Sequence, residues 1–555
     1  MEKLCFVSCC YKRLIAVSAL AFFLLTPAAS WACTTIVIGR DASATGNIVF
    51  GRTEDLEPYN AKRFVVYPSG TFKEGETLED LYGFQYTFIH DSYKFTGVPD
   101  MAVNGDGRYD AHGVNEFGVA VTATNTTRLS SGAAAADPTV DNGLREAVLT
   151  TIILAESKRV QEAITLIGSL VESNGAAETF IFVVADQDEA WIVEVISGHR
   201  WVASRVPDNS FAVIANDMVT VSVDLSESDR FRGSADFQTF AEEHNFASYN
   251  SDETLNIAGS YGSINEDGNT YRRWRGYNRF APSLGVEVRV STDVTPYNLF
   301  ARPDRRIEVA EVMSFQRDRY EGTGYDLSLS QQTFNEDGEE RELSWPRPIG
   351  TVGQIETHIY EMVKGYPNSI GARFWMAMAQ SEHSVYLPYY GAITDTHPYY
   401  KREAGEYQKY QADSAFWIFQ DLASKARADR ERYGKPIRDY WLAYERKLLN
   451  EQAQIEVNLI REYQSDPRTA AKYITDHTIA QSQAAIDKAV EIRDALNKHI
   501  AERPGDIFVV PEDKVIISED QTPESGGGGG CSAGAGVLAL AASAALILRR
   551  RGSLR

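Results

Sequence analysis

The 555-residue chain contains little cysteine. Three of its five cysteines lie in the first ten residues, and Cys531 lies close to the C-terminus. Between these two ends Cys33 is the only one. The body of the protein therefore has no partner for an internal disulfide. A lone thiol near the start of the body is either a nucleophile or an ordinary buried cysteine that packs as a small apolar side chain.

The chain also has no excess of positive charge. It carries 55 Lys and Arg residues against 77 Asp and Glu residues, for a formal net charge of −22. Nucleic acid is therefore an unsuitable partner. The hydrophobic fraction of 43% and the charged fraction of 24% are ordinary for a soluble globular protein.

Histidine is scarce and shows no recognisable pattern. Nine histidines, among them His90, His112 and His199, are scattered through the sequence without nucleophile-base or metal-ligand spacing. We therefore expect most of them to be structural or surface residues. The sequence predicts no metal and no cofactor.

The N-terminal segment has the features of a signal peptide. Tyr11-Lys12-Arg13 precedes the apolar run Leu14–Leu25, and Ser30-Trp31-Ala32 supplies small residues for a signal peptidase. We predict a signal peptide over 1–32, so that Cys33 becomes the first residue of the mature protein. Lipidation of Cys33 is disfavoured because Ser30 and Trp31 stand where a lipobox has an aliphatic and then a small residue.

An N-terminal cysteine brings its own base. The α-amine has a pKa of about 8, lower than that of a lysine, so it can take the proton of the thiol at working pH. It can then return that proton to a leaving nitrogen. This pattern indicates a nucleophile that needs no histidine.

The C-terminus has the features of a second targeting segment. An acidic and glycine-rich linker over 506–530 ends in Gly526–Gly530, and the segment 531–555 holds the apolar stretch Ala533–Leu548 followed by Arg549–Arg551. The segment resembles glycine-rich bacterial surface-sorting signals, which a rhomboid-type protease processes. A plain C-terminal anchor is nearly as good an interpretation. Both interpretations of the C-terminus predict that the main part of the protein is exported, to the periplasm or the cell surface. They also predict that it is tethered to a membrane at least transiently.

Hydrophobic patterning predicts an α+β fold. Strands are indicated at 34–38, 48–52, 113–118, 119–125, 179–185, 190–196, 200–206 and 211–215, and helical spacing at 143–172. The order strands, helices, strands favours a layered sandwich over a doubly wound parallel sheet. We place a catalytic domain at 33–400 and a helical extension packed on it at 401–505.

The first two strands form a predicted hairpin that carries candidate site residues. Alternation puts Arg52 and Glu54 on one face and Thr53 and Asp55 on the other. A guanidinium beside the thiolate would lower the pKa of Cys33, and a carboxylate would hold the new ammonium group.

Several motifs resemble one family. Cys33-Thr34-Thr35, Gly51-Arg52-Thr53-Glu54-Asp55 and Gly113-Val114-Asn115-Glu116-x-Gly118-Val119 are similar to motifs of the secreted dipeptidases among the N-terminal-nucleophile (Ntn) hydrolases, relatives of penicillin V acylase and bile salt hydrolase. Weaker matches are Arg272–Ser283 and Ser384–Tyr390. The resemblance runs from Cys33 to about Asn497. It implies a four-layer αββα sandwich of antiparallel sheets, with the helical region added at its C-terminus.

The resemblance also implies roles for individual residues. Cys33 would be the nucleophile, flanked by Arg52 and Asp55. Asn216 matches an asparagine of the oxyanion hole. Asn125 matches a second such asparagine, although a structural hydrogen bond explains it equally well. Arg272 matches a distal arginine, but Arg273 and Arg275 leave that assignment open.

We therefore predict an exported cysteine-type dipeptidase that acts on small peptides and is processed by a signal peptidase during export. An acylase for non-peptide amides uses the same constellation, and a non-enzymatic surface binding protein is an alternative of another class. The sequence carries no prediction of oligomeric state.

Overall fold

The computed structural model describes residues 33–101, 110–126, 128–263, 267–288, 297–330, 333–334, 340–341, 346–403 and 409–512. The predicted signal peptide, the glycine run and the C-terminal apolar segment lie outside these residues. Within them, no helix combines the length and the apolar character that a membrane span requires.

Six antiparallel strands form the first sheet, in the order β12-β1-β2-β16-β17-β18. Their bounds are β1 Thr34–Ile38, β2 Ile48–Asp55, β12 Phe211–Ile214, β16 Gln354–Met362, β17 Ala372–Met378 and β18 Leu387–Tyr390. The strand that carries Arg52 thus lies between the first strand of the body and one that begins about 300 residues later.

Eight antiparallel strands form the second sheet, in the order β13-β11-β10-β9-β8-β7-β6-β3. Their bounds are β3 Val65–Tyr67, β6 Phe95–Pro99, β7 Asp110–Asn115, β8 Ala120–Asn125, β9 Phe180–Ala185, β10 Ala190–Val195, β11 Trp201–Arg205 and β13 Phe231–Gly233. Two short hairpins stand apart, β4 Thr77–Glu79 with β5 Gln85–Thr87, and β14 Thr333–Phe334 with β15 Glu340–Arg341.

The helices are α1 Ser131–Ala136, α2 Glu146–Glu156, α3 Val160–Asn174, α4 Phe237–Glu243, α5 Ile257–Tyr261, α6 Asp267–Phe280, α7 Val309–Gln316, α8 Asn368–Gly371, α9 Ala415–Arg427, α10 Lys435–Ser465 and α11 Pro467–Glu502. Short 3₁₀ turns occupy Pro282–Leu284 and Ser381–His383, and a π-helical turn occupies Arg430–Gly434.

These elements build the four predicted layers. Val37 and Phe50 of the first sheet share one buried core with Ile181 and Ile192 of the second sheet, so the two sheets pack face to face. Helices α2 and α3 cover the outer face of the second sheet, while α6, α7 and the C-terminal helices cover that of the first. The predicted α+β sandwich is therefore confirmed.

Sequence patterning located most strands of the sandwich closely. β1 has the predicted bounds, and the turn before β2 contains Gly46 at φ 71°, which a glycine adopts without strain. The expected helical stretch 143–172 is two helices, α2 and α3, separated by the residues 157–159. The strand predicted at 113–118 is β7 at Asp110–Asn115. The strands of the two large sheets that were not predicted are β3, β6, β13, β16, β17 and β18.

The motif around Asn115 has a structural role. Asn115 Oδ1 accepts the backbone N–H groups of Phe117 and Val119, each at 3.1 Å, and its Nδ2 donates to the carbonyls of Leu154 and Ser157. Gly118, at φ 79°, completes the turn. One amide thus closes the β7–β8 hairpin and fastens it to the end of α2.

The helical region after residue 400 packs on the first sheet through buried polar contacts. Tyr389 on β18 hydrogen-bonds Ser482 on α11 at 2.9 Å. Arg317, just after α7, makes a bidentate pair with Glu445 on α10 at 2.8 and 2.5 Å, and both residues are buried. The predicted extension is therefore joined to the sandwich by charge as well as by apolar packing.

We expect Arg317→Met to destabilise the protein by about 3–5 kcal/mol, because the substitution leaves the buried Glu445 carboxylate without its partner. Chemical denaturation would measure the loss. Lys472→Met removes one member of an exposed pair on α11 and should change the stability little. Equal, small effects of the two variants would contradict the structural role of the buried pair.

Candidate active site

Cys33 lies immediately before β1, at one end of the gap between the two sheets. Its thiol is buried, with 6% of the residue exposed. The pairing of β1 with β2 and β12 places the residue beside Glu54 and Asn216, and Thr35 hydrogen-bonds Thr124 of the second sheet at 2.9 Å. Since side chains alternate along a strand, Cys33 faces the same gap as Thr35.

Arg272 on α6 holds the backbone of the nucleophile candidate. Its Nη1 donates to the carbonyl of Cys33 at 2.6 Å and to Thr34 Oγ1 at 3.0 Å, and its Nη2 donates to Asn216 Oδ1 at 3.1 Å. Arg273 instead pairs with Asp217, and Arg275 with Asp318. Of the three arginines that the sequence left open, only Arg272 contacts Cys33.

The side-chain amide of Asn216 is fixed by hydrogen bonds at both its oxygen and its nitrogen. Its Oδ1 is fixed by Arg272, and its Nδ2 donates to the carbonyl of Asn125 at 2.9 Å. Because a side-chain amide has two N–H donors, this bond leaves the second N–H for another acceptor. The amide is thereby oriented before any substrate arrives.

Asn125 takes part in the site through its backbone. Its side-chain amide donates to Glu178 Oε2 at 3.2 Å, while its carbonyl accepts the bond from Asn216. The geometry therefore makes Asn125 a support for Asn216. It does not direct the amide of Asn125 toward Cys33.

Arg52 supplies positive charge next to the thiol. Its side chain is fully buried, and Arg52 Nη2 lies 3.4 Å from Glu54 Oε2, so the two residues share a face as the alternation predicted. Glu54 in turn contacts Lys62 Nζ at 3.1 Å, and Lys62 contacts Asp100 at 2.9 Å. This row of alternating charges keeps Arg52 in place between the sheets.

Two opposing effects act on the thiol. Burial raises the pKa of Cys33 to about 12, and the Arg52 guanidinium lowers it, while Asp55, Glu146 and Glu54 add smaller increases. Burial dominates as long as a peptide bond joins Cys33 to Ala32. A positive charge created beside the thiol would oppose burial.

Asp55 ends β2 on the face opposite Arg52. Its Oδ2 lies 3.4 Å from Arg347 Nη2, and burial raises the pKa of Asp55 to about 6 against the pull of Arg347 and Arg272. Arg347 was missed by sequence reasoning, because nothing in the pattern connects it to a residue almost 300 positions earlier.

Asn269 was also missed. It lies one turn before Arg272 on α6, accepts a hydrogen bond from Arg272 Nη2, and donates to the carbonyl of Asn216 at 2.9 Å. The spacing of three residues before a candidate arginine on a helix was the available signal.

A second buried cluster lies next to Arg52, on β7 and on β16, the strand that pairs with β2. His112, Glu356 and His358 offer three ligand atoms within 4.8 Å of one another, and Glu356 contacts both rings at 3.1–3.3 Å. The rings stack with centroids 3.7 Å apart and an angle of 25° between their planes. Imidazole binds metal in its ring plane, and one ion cannot lie in both planes here. The arrangement is that of a hydrogen-bonded cluster, with Tyr360 on His112 and Thr122 on His358.

Comparison with known proteins identifies the relatives of this chain. Residues 32–443 match the model of peptidase family C69. The chain is 31% identical over 448 residues to "Probable dipeptidase B" of Streptococcus pyogenes serotype M1, covering 80% of this chain and 88% of the relative. It is 30% identical over 371 residues to "Probable dipeptidase" of Salmonella dublin, covering 66% and 82%. A structural match is penicillin V acylase from Agrobacterium tumefaciens, at 14% identity and TM-score 0.31, covering 64% of this chain and 86% of that one.

We expect the reactivity of the thiol to depend on the residue before it. With Ala32 retained, a pKa of about 12 leaves roughly one thiol in 10⁴ ionised at pH 8, and alkylation by iodoacetamide should accelerate about tenfold per pH unit up to pH 11. A chain that begins at Cys33 places an ammonium group beside the thiol, which lowers its pKa. Alkylation at pH 8 should then be at least about 100-fold faster. The longer chain begins at Ser30 and both chains carry Cys531→Ser, so that Cys33 is the sole thiol of each. Equal rates would contradict the prediction.

Proposed function

The chain belongs to peptidase family C69, and from this we infer that it is a cysteine-dependent dipeptidase whose nucleophile is Cys33. The observation that carries the proposal is the arrangement around Cys33: Arg272 binds both its carbonyl and the Asn216 amide, and the buried Arg52 cation lowers the pKa of its thiol. The relatives named as probable dipeptidases support a short peptide as substrate.

The acylation step begins with the thiol. The free α-amine of Cys33 takes the proton of Sγ, and the thiolate adds to the carbonyl carbon of the scissile peptide bond. The tetrahedral intermediate then collapses, the C–N bond breaks, and the new α-ammonium returns its proton to the leaving nitrogen. A thioester on Cys33 and a free amino acid result.

The oxyanion of this tetrahedral intermediate needs a hydrogen-bond donor that is already in position before the reaction begins. The second N–H of Asn216 meets that need, because Arg272 and the carbonyl of Asn125 already fix the amide. Arg272 binds the carbonyl oxygen of Cys33, so it positions the nucleophile and leaves the oxyanion to Asn216.

Deacylation uses the same groups in reverse. Water gives a proton to the α-amine of Cys33 and adds to the thioester carbon, and the C–S bond breaks to release the second amino acid. The α-ammonium then returns its proton to the thiolate, which restores the thiol and the free amine. Arg52 stabilises the departing thiolate, since its guanidinium lowers the pKa of the Cys33 thiol.

Export and maturation complete the proposal. Removal of residues 1–32 by a signal peptidase would create the α-amine that the mechanism requires. The segment 531–555 would hold the enzyme at a membrane or at the cell surface until a sorting protease, of the rhomboid type, processes it. The leader and tail patterns of the sequence support this part of the proposal.

A substrate panel and two variants test the catalytic part. Unblocked dipeptides should be hydrolysed by the chain that begins at Cys33. Cys33→Ser should lose most of this activity while keeping the fold, because a hydroxyl is a far weaker acid than a thiol.

Asn216→Ala should lower kcat about 10²–10³-fold with little change in KM, because the donor acts in the transition state.

The same panel separates the alternatives. Turnover of phenoxyacetyl and bile-salt amides without turnover of dipeptides would replace the dipeptidase with an acylase. A correctly matured chain that hydrolyses neither class would favour a surface binding protein. A loss confined to KM in Asn216→Ala would make Asn216 a substrate-binding residue.

The location is tested in cells. N-terminal sequencing of the native protein should begin at Cys33, and fractionation should place the protein in the cell envelope or at the surface. A chain ending at Ser525 should be soluble and fully active. Retention of the leader on the active enzyme would contradict the maturation step, and misfolding of the shortened chain would contradict the sorting role of the tail.

A further inference from the structure

Asn269 on α6 contacts both of the residues that form the proposed oxyanion site. Its Oδ1 accepts a hydrogen bond from Arg272 Nη2, and its Nδ2 donates to the backbone carbonyl of Asn216 at 2.9 Å. The orientation of this amide follows from its partners, because a guanidinium only donates and a carbonyl only accepts. Only 3% of Asn269 is exposed, so both bonds lie away from solvent.

Every N–H group of the Arg272 guanidinium has an acceptor within the protein. Arginine carries five N–H donors, one on Nε and two on each Nη. The five acceptors are the carbonyl oxygens of Gly268 and Cys33, Thr34 Oγ1, Asn216 Oδ1 and Asn269 Oδ1. A substrate could bind Arg272 only by displacing one of them. Arg272 therefore holds parts of the protein in place, and Asn269 supplies one of the acceptors that fix it.

Asn216 lies two residues beyond β12, where strand pairing no longer fixes the backbone. The last residue of β12 that pairs with β1 is Ile214. Beyond it, the carbonyl of Asn216 is held by Asn269, and the Asp217 carboxylate is held by Arg273 Nη1 at 2.8 Å. Helix α6 thus fastens two successive residues after the strand.

These hydrogen bonds close a ring around Asn216. Arg272 Nη2 donates to Asn216 Oδ1 at 3.1 Å and to Asn269 Oδ1, and Asn269 Nδ2 returns to the backbone carbonyl of Asn216. The ring fixes the side chain and the backbone of Asn216 relative to each other. Without Asn269 the ring is open, and the remaining bonds of the Asn216 side chain are those to Arg272 and to the carbonyl of Asn125.

We propose that Asn269 is a positioning residue, which sets the direction of the Asn216 amide by holding both Arg272 and the Asn216 backbone. The inference rests on the proposed hydrolase activity and deepens its account of the oxyanion site. A donor stabilises a developing oxyanion only if it is already in place, and a displacement of about 1 Å can cost about 100-fold in rate. Asn269 acts on the substrate only through Asn216.

Asn269→Ala tests the proposal in the chain that begins at Cys33 and carries Cys531→Ser. For alanyl-alanine, kcat should fall about 10- to 100-fold while KM changes less than about threefold, because a displaced donor affects the transition state most. Alkylation of Cys33 by iodoacetamide should stay within about twofold, because displacement of iodide needs no oxyanion donor. A loss confined to KM, or an equal fall in alkylation, would contradict the proposal.

A double variant separates positioning of Asn216 from an independent effect. In the Asn216→Ala background, Asn269→Ala should lower kcat by less than about twofold further, because the group that it positions is gone. If the two losses multiply, Asn269 does not act through Asn216.

Asn278→Ala is the matched control on the same helix. Asn278 also lies three positions from an arginine of α6, and its Oδ1 accepts from Arg275 Nη1 at 2.7 Å, but Arg275 pairs with Asp318 and not with the site. This variant should leave kcat within about twofold of the wild type. An equal loss in both variants would trace the effect to the stability of α6 and refute the positioning role.

Asn269→Asp separates the two bonds of Asn269. It keeps the acceptor for Arg272 but places a carboxylate oxygen where Asn269 donates to Asn216. The guanidinium keeps that carboxylate ionised, so it should repel the Asn216 carbonyl and lower kcat at least as much as Asn269→Ala does. Wild-type turnover in Asn269→Asp would show that the Arg272 contact alone matters, against the proposal.

The side-chain amide signals of Asn216 test the role even if no peptide is hydrolysed. In protein labelled with ¹⁵N at asparagine side chains, Asn216→Ala identifies this pair of signals by removing it. Asn269→Ala should speed the exchange of these protons with solvent at least about 10-fold, and Asn278→Ala should not. Faster exchange without dipeptide turnover would refute the proposed function and keep the role of Asn269. Unchanged exchange in Asn269→Ala would overturn the proposal.

Discussion

The site depends on one buried guanidinium. Arg272 binds the carbonyl of Cys33, the hydroxyl of Thr34 and the amide of Asn216, and it comes from a helix more than 200 residues away in sequence. The proposed maturation would leave nothing before Cys33 to restrain it, and Arg272 would then anchor the start of the chain. The same guanidinium fixes the Asn216 amide, so the proposed nucleophile and the proposed oxyanion donor are positioned as one unit.

The site also depends on the buried positive charge of Arg52. Arg52 is effective beside the thiol because it is out of water, and its cost of desolvation is offset by the row Glu54, Lys62 and Asp100. Burial raises the pKa of Glu54 to about 7, which shows how strongly the protein interior disfavours the negative charge of that carboxylate. This network of ion pairs therefore stabilises the charged guanidinium of Arg52 in the buried space between the two sheets.

The sequence predicted the local part of this architecture well. β1, β2 and the strands from β8 to β12 are short runs rich in β-branched and other apolar residues, which predict strands. Cys33, Arg52 and Asp55 belong to one hairpin, so their proximity followed from short-range geometry. The long-range part had no such signal. Arg347 contacts Asp55 from almost 300 residues away in the sequence. β16 has buried polar residues on both faces, so no apolar run identifies it as a strand.

The insertion of β16 between β2 and β17 makes the hairpin of Cys33 and Arg52 depend on a distant part of the chain. β2 finds its second neighbour only after about 300 further residues have been made, and contacts between such distant segments form late in folding. The sheet that carries Cys33 and Arg52 is therefore complete only when the last third of the sandwich has joined it.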